Sequence, residues 1–314
     1  WCYFMQDSSV YMMAVTRDQY VENQWCINKT DLSNPRNLET TTIFTESFPY
    51  DAFHRFQARN GLGVLSKYGG SIEFLDCNDM DNVQSISSFN RHDDIGEMAI
   101  TNNFTISKPI YRSGLRIHRN ENHIPNNETG YISQYLDAIV SVEDDDVITF
   151  KTEIGELNYW NMSEDYQLEA VSSLAIWERY CNGMTVSNDL LYANSNRGFV
   201  IVDISDPEDM AIIARWAQDR YRIESIFLDE EKVYMFSGLN IIIVDISDPT
   251  EPFLVTDFRI DQFISDLVYV NGIVYLITRD NRMPAWDVSD PENPVRLGII
   301  QSRGQIVNDQ LSMR

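Results

Sequence analysis

Apolar residues along this chain fall in short runs separated by clusters of Gly, Asp, Asn and Pro. Runs of roughly four to eight residues rich in Val, Ile, Tyr and Phe predict strands. No sustained helical period is present. The pattern is clearest between residues 224 and 258. Glu224 to Leu228 is one run, and Asp229-Glu230-Glu231 is a turn. Lys232 to Phe236 follows, with Ser237-Gly238 as the next turn. Ile241 to Ile246 is a third run, Asp248-Pro249 turns the chain, and Phe253 to Phe258 is the fourth. Asn271-Gly272 and Asn60-Gly61 stand at the first turn of two other such units, which is a hairpin signal.

The four-run unit repeats. FVIVDISDPEDM (Phe199 to Met210), IIIVDISDPTEP (Ile241 to Pro252) and PAWDVSDPENP (Pro284 to Pro294) are near-copies. Asp203, Asp245 and Asp287 mark the same place in each, 42 residues apart. Weaker copies continue toward the N-terminus at Asn161, His118, Asp76 and Asp31. The Ser-Asp-Pro step reads as turn chemistry, because Ser and Asp side chains satisfy local backbone groups and Pro presets φ.

Seven four-strand units with a period of about 42 predict an all-β fold, a seven-bladed β-propeller of four-stranded antiparallel blades. The expected blades cover residues 1–47, 48–91, 92–135, 136–177, 178–219, 220–261 and 262–303 of a single domain. Residues 304–314 read as a tail that closes the ring or begins a further blade.

The phrase Ile-Val-Asp-Ile-Ser-Asp-Pro resembles the LVIVD repeat, a propeller family common in bacterial and archaeal surface or exported proteins. The resemblance is specific over residues 178–303, partial around Asp31, Asp76 and Asn161, and poor around His118. It implies a propeller, an extracellular or cell-surface setting, and a binding or scaffolding role. It brings no catalytic residues.

Composition narrows the function classes. A formal net charge of −24 repels nucleic acid and anionic lipid, so neither is an expected partner. No apolar run reaches the length of a membrane span. The 24 basic residues divide into 19 Arg and 5 Lys. Arg suits planar, desolvated contacts, so the skew points to interfaces. Cys2, Cys26, Cys77 and Cys181 have no metal-ligand spacing and read as buried thiols. No Gly-x-Ser-x-Gly, His-Glu-x-x-His or phosphate-cradling loop occurs. His118 and His123 read as flanking a polar turn.

Two groups of residues carry candidate chemistry. Aligning the first hairpins puts Cys2, Arg55 (or its neighbour His54), Glu97, Asp137, Asn182, Glu224 and Asp266 at the start of each innermost strand, around the expected channel mouth. Carboxylates there either accept backbone N–H groups at their own strand starts or converge on a hard cation. Calcium, which takes six to eight oxygens, is the one cofactor such a ring suggests.

The second group lies in the connectors between units. Arg55, Arg91, Trp177, Arg179, Tyr180, Arg220, Tyr221 and Arg222 combine the side chains that dominate protein-binding hot spots. The aromatics also suit packing between units. The leading expectation is a non-enzymatic interaction module that binds a protein partner or a copy of itself through this face. The alternative is a cation-dependent hydrolase or lyase at the central channel.

Overall fold

In the computed structural model, residues 2–307 are described except for 7–8, 18–23, 32–39, 48–52, 60, 68–70, 80, 91–94, 110–113, 122–123, 133–137, 143–144, 152, 164–166, 177–180, 182, 230, 279–281 and 302–305. The described residues are strands and turns, without a helix. No helix among them is long and apolar enough to cross a membrane.

The strands form seven antiparallel sheets in chain order, six of four strands and one of five. They begin at Cys2, Phe53, Ile95, Ala138, Met184, Ser225 and Ile264. The sixth shows the local logic: Ser225–Leu228, Lys232–Ser237, Asn240–Asp245 and Phe253–Arg259 match the four apolar runs read from the sequence. The seventh gains its fifth strand from Ile306–Val307, which pairs with Ile299 and Ile300.

The chain divides into two compact units. One comprises Trp1–Thr30 and Thr40–Trp177, with the first four sheets. The other comprises Asp31–Glu39 and Glu178–Arg314, with the fifth to seventh.

In the second unit the middle strands of the sixth sheet are apolar on both faces because that sheet lies between the fifth and the seventh. Ile242 and Val244 pack toward the fifth sheet, with Tyr192, Phe199 and Trp216. Ile241 and Ile243 point the other way, into a cluster with Ile264, Leu267, Val274 and Leu276 of the seventh. Side chains alternate across a strand, so an unbroken Ile-Ile-Ile-Val run serves two cores. Each such side chain contributes about 1.5–3 kcal/mol through burial. In the first unit Leu62, Val64, Ile72 and Phe74 pack on Met98 and Ile100. Phe104, Ile106, Leu115 and Ile117 pack on Ile139, Val147 and Trp160.

The marker aspartates close a loop that recurs almost unchanged. Asp203 Oδ1 accepts from Ser205 N and Oγ at 2.9 and 2.7 Å. Asp245 does the same for Ser247, and Asp287 for Ser289. The next residue donates its N–H back to the first hairpin turn: Ile204 to Asp189 O, Ile246 to Glu231 O, and Val288 to Gly272 O. The degraded copy at Asp76 keeps both features, with Asn78 N and Nδ2 on Asp76 and Cys77 N on Gly61 O.

A β-bulge in the pairing of third and fourth strands precedes every mark. It falls between Phe74 and Leu75, Tyr159 and Trp160, Ile201 and Val202, Ile243 and Val244, and Ala285 and Trp286. In the first sheet it falls between Ile27 and Asn28, so Lys29, not Asp31, holds the marker position. In the third the register shifts twice, between Ile117 and His118 and between His118 and Asn120, and Arg119, opposite Phe104 at the start of the second strand, holds the marker position. In both sheets a basic residue stands where the other units carry Asp or Asn. A one-residue slip changes faces. His118 is a fully buried residue of the strand that leads into the expected polar turn. His123 lies outside the described residues.

Candidate functional site

The connector from Trp216 to Glu224 joins the fifth sheet to the sixth, and its backbone is held throughout. Gln218 N donates to Arg197 O, Tyr221 N to Gln218 O, and Ile223 N to Asn196 O. Arg222 N donates to Ser237 Oγ at 2.8 Å, and Glu224 N to Phe236 O at 3.1 Å. The connector therefore binds the second hairpin turns of both sheets, Asn196-Arg197 and Ser237-Gly238, into one end of the unit.

Its aromatic side chains turn inward. Trp216 stacks on Phe199 with centroids 5.9 Å apart, and Tyr221 stacks on Trp216 at 6.3 Å. Both belong to the core between the two sheets. Burial raises the Tyr221 phenol to about 12, with the nearby Asp257 carboxylate adding to the effect. The phenol is neutral and ring-like here, and general-base chemistry near neutral pH is closed to it.

The arginines turn outward. Arg220 lies over the Tyr221 ring, with Cζ 4.7 Å from the centroid. Its Nη2 stands 3.4 Å from Asp257 Oδ1, with 55% of the side chain still exposed. Arg222 is exposed on the same stretch, and Arg197 pairs with Asp219 at the solvent edge. The result is a set of guanidinium groups on a backbone fixed by a stacked aromatic core.

Among the expected channel residues, Glu224 Oε1 accepts from Gly238 N at 3.3 Å, and Asp266 Oδ1 from Leu267 N at 2.9 Å. Each carboxylate thus serves a backbone amide. Register along the first hairpins places Arg55, Glu97 and Asp266 at one position, opposite Ser66, Lys108 and Ile277 and each preceded by a bulge. The same position holds Ala138 opposite Phe150 and Ser225 opposite Phe236, so Glu224 stands one residue earlier. Arg91, Asp137, Trp177, Arg179, Tyr180 and Asn182 lie outside the described residues. Among the described residues no group of three His, Cys, Asp or Glu is placed to hold a metal ion.

One residue of this end was not singled out from the sequence. Phe263 is 56% exposed. Ile264 N donates to Gly238 O, just as Ile223 N donates to Asn196 O. Phe263 therefore occupies in its connector the place of Arg222 in the preceding one. The signal was the spacing: Arg222 precedes Ser225 by three residues, and Phe263 precedes Asp266 by three.

Comparison with known proteins agrees with the repeat. Residues 178–217 and 235–259 match the family model described as the LVIVD repeat, so the chain carries that repeat there. No curated protein matches the chain. Among solved structures, a protein from Lactobacillus plantarum superposes with a TM-score of 0.75 at 8% identity, covering 93% of this chain and 96% of that one. A functionally unknown protein from Desulfotomaculum acetoxidans gives 0.72 at 9%, covering 94% and 99%. Sqt1 of Saccharomyces cerevisiae gives 0.65 at 9%, covering 95% and 87%. At such identities the likeness is one of fold.

Proposed function

We propose that the seven sheets are the blades of a β-propeller, and that it is a non-enzymatic interaction module which binds a protein through the connector end of its blades. The observation that carries this reading is the division of labour within residues 216–224. Trp216 and Tyr221 are buried and stacked, while Arg220 and Arg222 are exposed on the same short, hydrogen-bonded backbone. Side chains carried on a prearranged backbone lose less freedom on binding, which favours affinity. Arg is also enriched where partners meet. The setting, extracellular or at a cell surface, follows the LVIVD resemblance and is part of the proposal.

The test is capture from the native source with the Arg220→Glu/Arg222→Glu protein as bait. Loss of the wild-type partner, with an unchanged thermal melt, supports the reading. Undiminished capture removes it.

A further inference from the structure

The three sheets of the second unit are chemically different at their two ends. One end carries the connectors, with Arg220, Arg222 and the exposed Phe263. Gly238 lies between those connectors: its carbonyl accepts from Ile264 N, and Ser237 Oγ accepts from Arg222 N. Among the described residues no atom beyond its chain neighbours lies within 4 Å of the place where a Cβ on Gly238 would stand, so the turn between the two connectors is open.

The opposite end carries the three Asp-Pro loops. Asp206, Glu208, Asp248, Glu251, Asp290 and Glu292 are all exposed there. The loops also carry exposed apolar side chains. Phe253 and Val295, each 57% exposed, follow Pro252 and Pro294 and pair with the marker residues Asp245 and Asp287. Local hydrogen bonds from Ser247 and Thr250 hold the Asp245 and Asp248 carboxyls below the usual carboxylate range.

We propose that copies of this chain associate head to tail, the Arg222/Phe263 end of one receiving the Asp-Pro loop end of the next. The proposal rests on the reading of the connector end as a binding face and names its partner as a second copy. Arg meets carboxylate and Phe meets Phe or Val, so charge and apolar surface are complementary across the contact. The two surfaces are different patches of one molecule, which makes the interface heterologous and extendable into rings or filaments. A chain with a net charge of −24 repels its own copies in general, and an approach that presents Arg222 to the acidic loops offsets part of that repulsion.

Sedimentation velocity over a concentration series tests this with two blocked proteins. Arg222→Ser/Phe263→Asp blocks the connector end, and Phe253→Asp/Val295→Asp blocks the loop end. All four side chains are exposed, and a thermal melt checks each fold. The wild type should form a concentration-dependent series, weakened on the order of tenfold between low and high salt. Each blocked protein alone should be monomeric. An equimolar mixture should give dimers and nothing larger, since one native head and one native tail remain. A wild type that is monomeric at every concentration overturns the proposal but leaves the connector-end reading to the capture test. Self-association that survives the connector block also overturns the proposal, and again leaves the connector-end reading to the capture test. A dimer formed by each blocked protein alone overturns the head-to-tail geometry.

Discussion

The indole Nε1 of Trp160 donates to Thr149 Oγ1 at 2.9 Å inside the fourth sheet. Trp286 holds the corresponding place in the seventh sheet, one residue before the marker, and its buried Nε1 has no hydrogen-bond partner among the described residues. The residue at Thr149's register there is Leu276. The two sheets thus make opposite choices about one buried donor.

Thr149→Val should therefore cost roughly 1–3 kcal/mol, the penalty of leaving a buried N–H unmade in a site of nearly unchanged shape. Urea denaturation followed by tryptophan fluorescence measures it. A loss below a few tenths would mean that the indole finds another acceptor.

The marker loops predict a weak acid dependence. Ser247 hydrogen bonds lower the Asp245 carboxyl relative to its unfolded value of roughly 3.9. A depressed folded pKa gives stability that is complete above that value and lost as pH falls through the folded one. Asp245→Asn keeps an acceptor oxygen and does not titrate. Wild type should be the more stable near neutrality and should lose that margin below about pH 4, a margin under about 1 kcal/mol because the loop faces solvent. Melting temperatures across about pH 2.5–6 check it; parallel curves would contradict it.

Two glycines should respond differently to Ala. A Cβ on Gly198 would overlap the carbonyl of Trp216 and meet Ala217 Cα at 2.8 Å, both backbone. Gly198→Ala should cost on the order of 1–3 kcal/mol, since the partner strand must move. Gly238 has open space but φ of +62°, so Gly238→Ala should cost about 1 kcal/mol through conformation alone. Equal losses in chemical denaturation would refute the steric account.

Arg220 and Trp216 should separate binding from stability. Arg220→Ala removes an exposed ring contact and a surface ion pair, worth below about 1 kcal/mol. Trp216→Ala removes a buried ring, at about 3–5 kcal/mol. Partner capture should fall with the first at nearly constant melting temperature. A large stability loss with Arg220→Ala would make it a structural residue.

Much of the architecture was legible in the sequence because it is written locally. Strand runs and Asp-x-Ser-Asp-Pro turns need only neighbours in the chain, and the marks at Asp76, Asn161, Asp203, Asp245 and Asp287 all stand one residue past a bulge. Lys29 and Arg119 were missed because the position is defined by backbone pairing, which tolerates a basic side chain. Arg220, Tyr221 and Arg222 were legible as a cluster. That Tyr221 is core while Arg222 is surface was not, since both are equally placed in a polar connector.

The sequence by itself determined the number, spacing and internal order of the four-strand units, because period-two patterning and turn residues act over a few bonds. Tertiary structure decided which sheet each alternate side chain of Ile241 to Val244 serves, which connector aromatics are sealed, and which residue holds the marker place where the carboxylate is gone. The physical reason is that burial and register belong to the neighbouring strand or sheet, and that neighbour is set by packing across about 42 residues of chain.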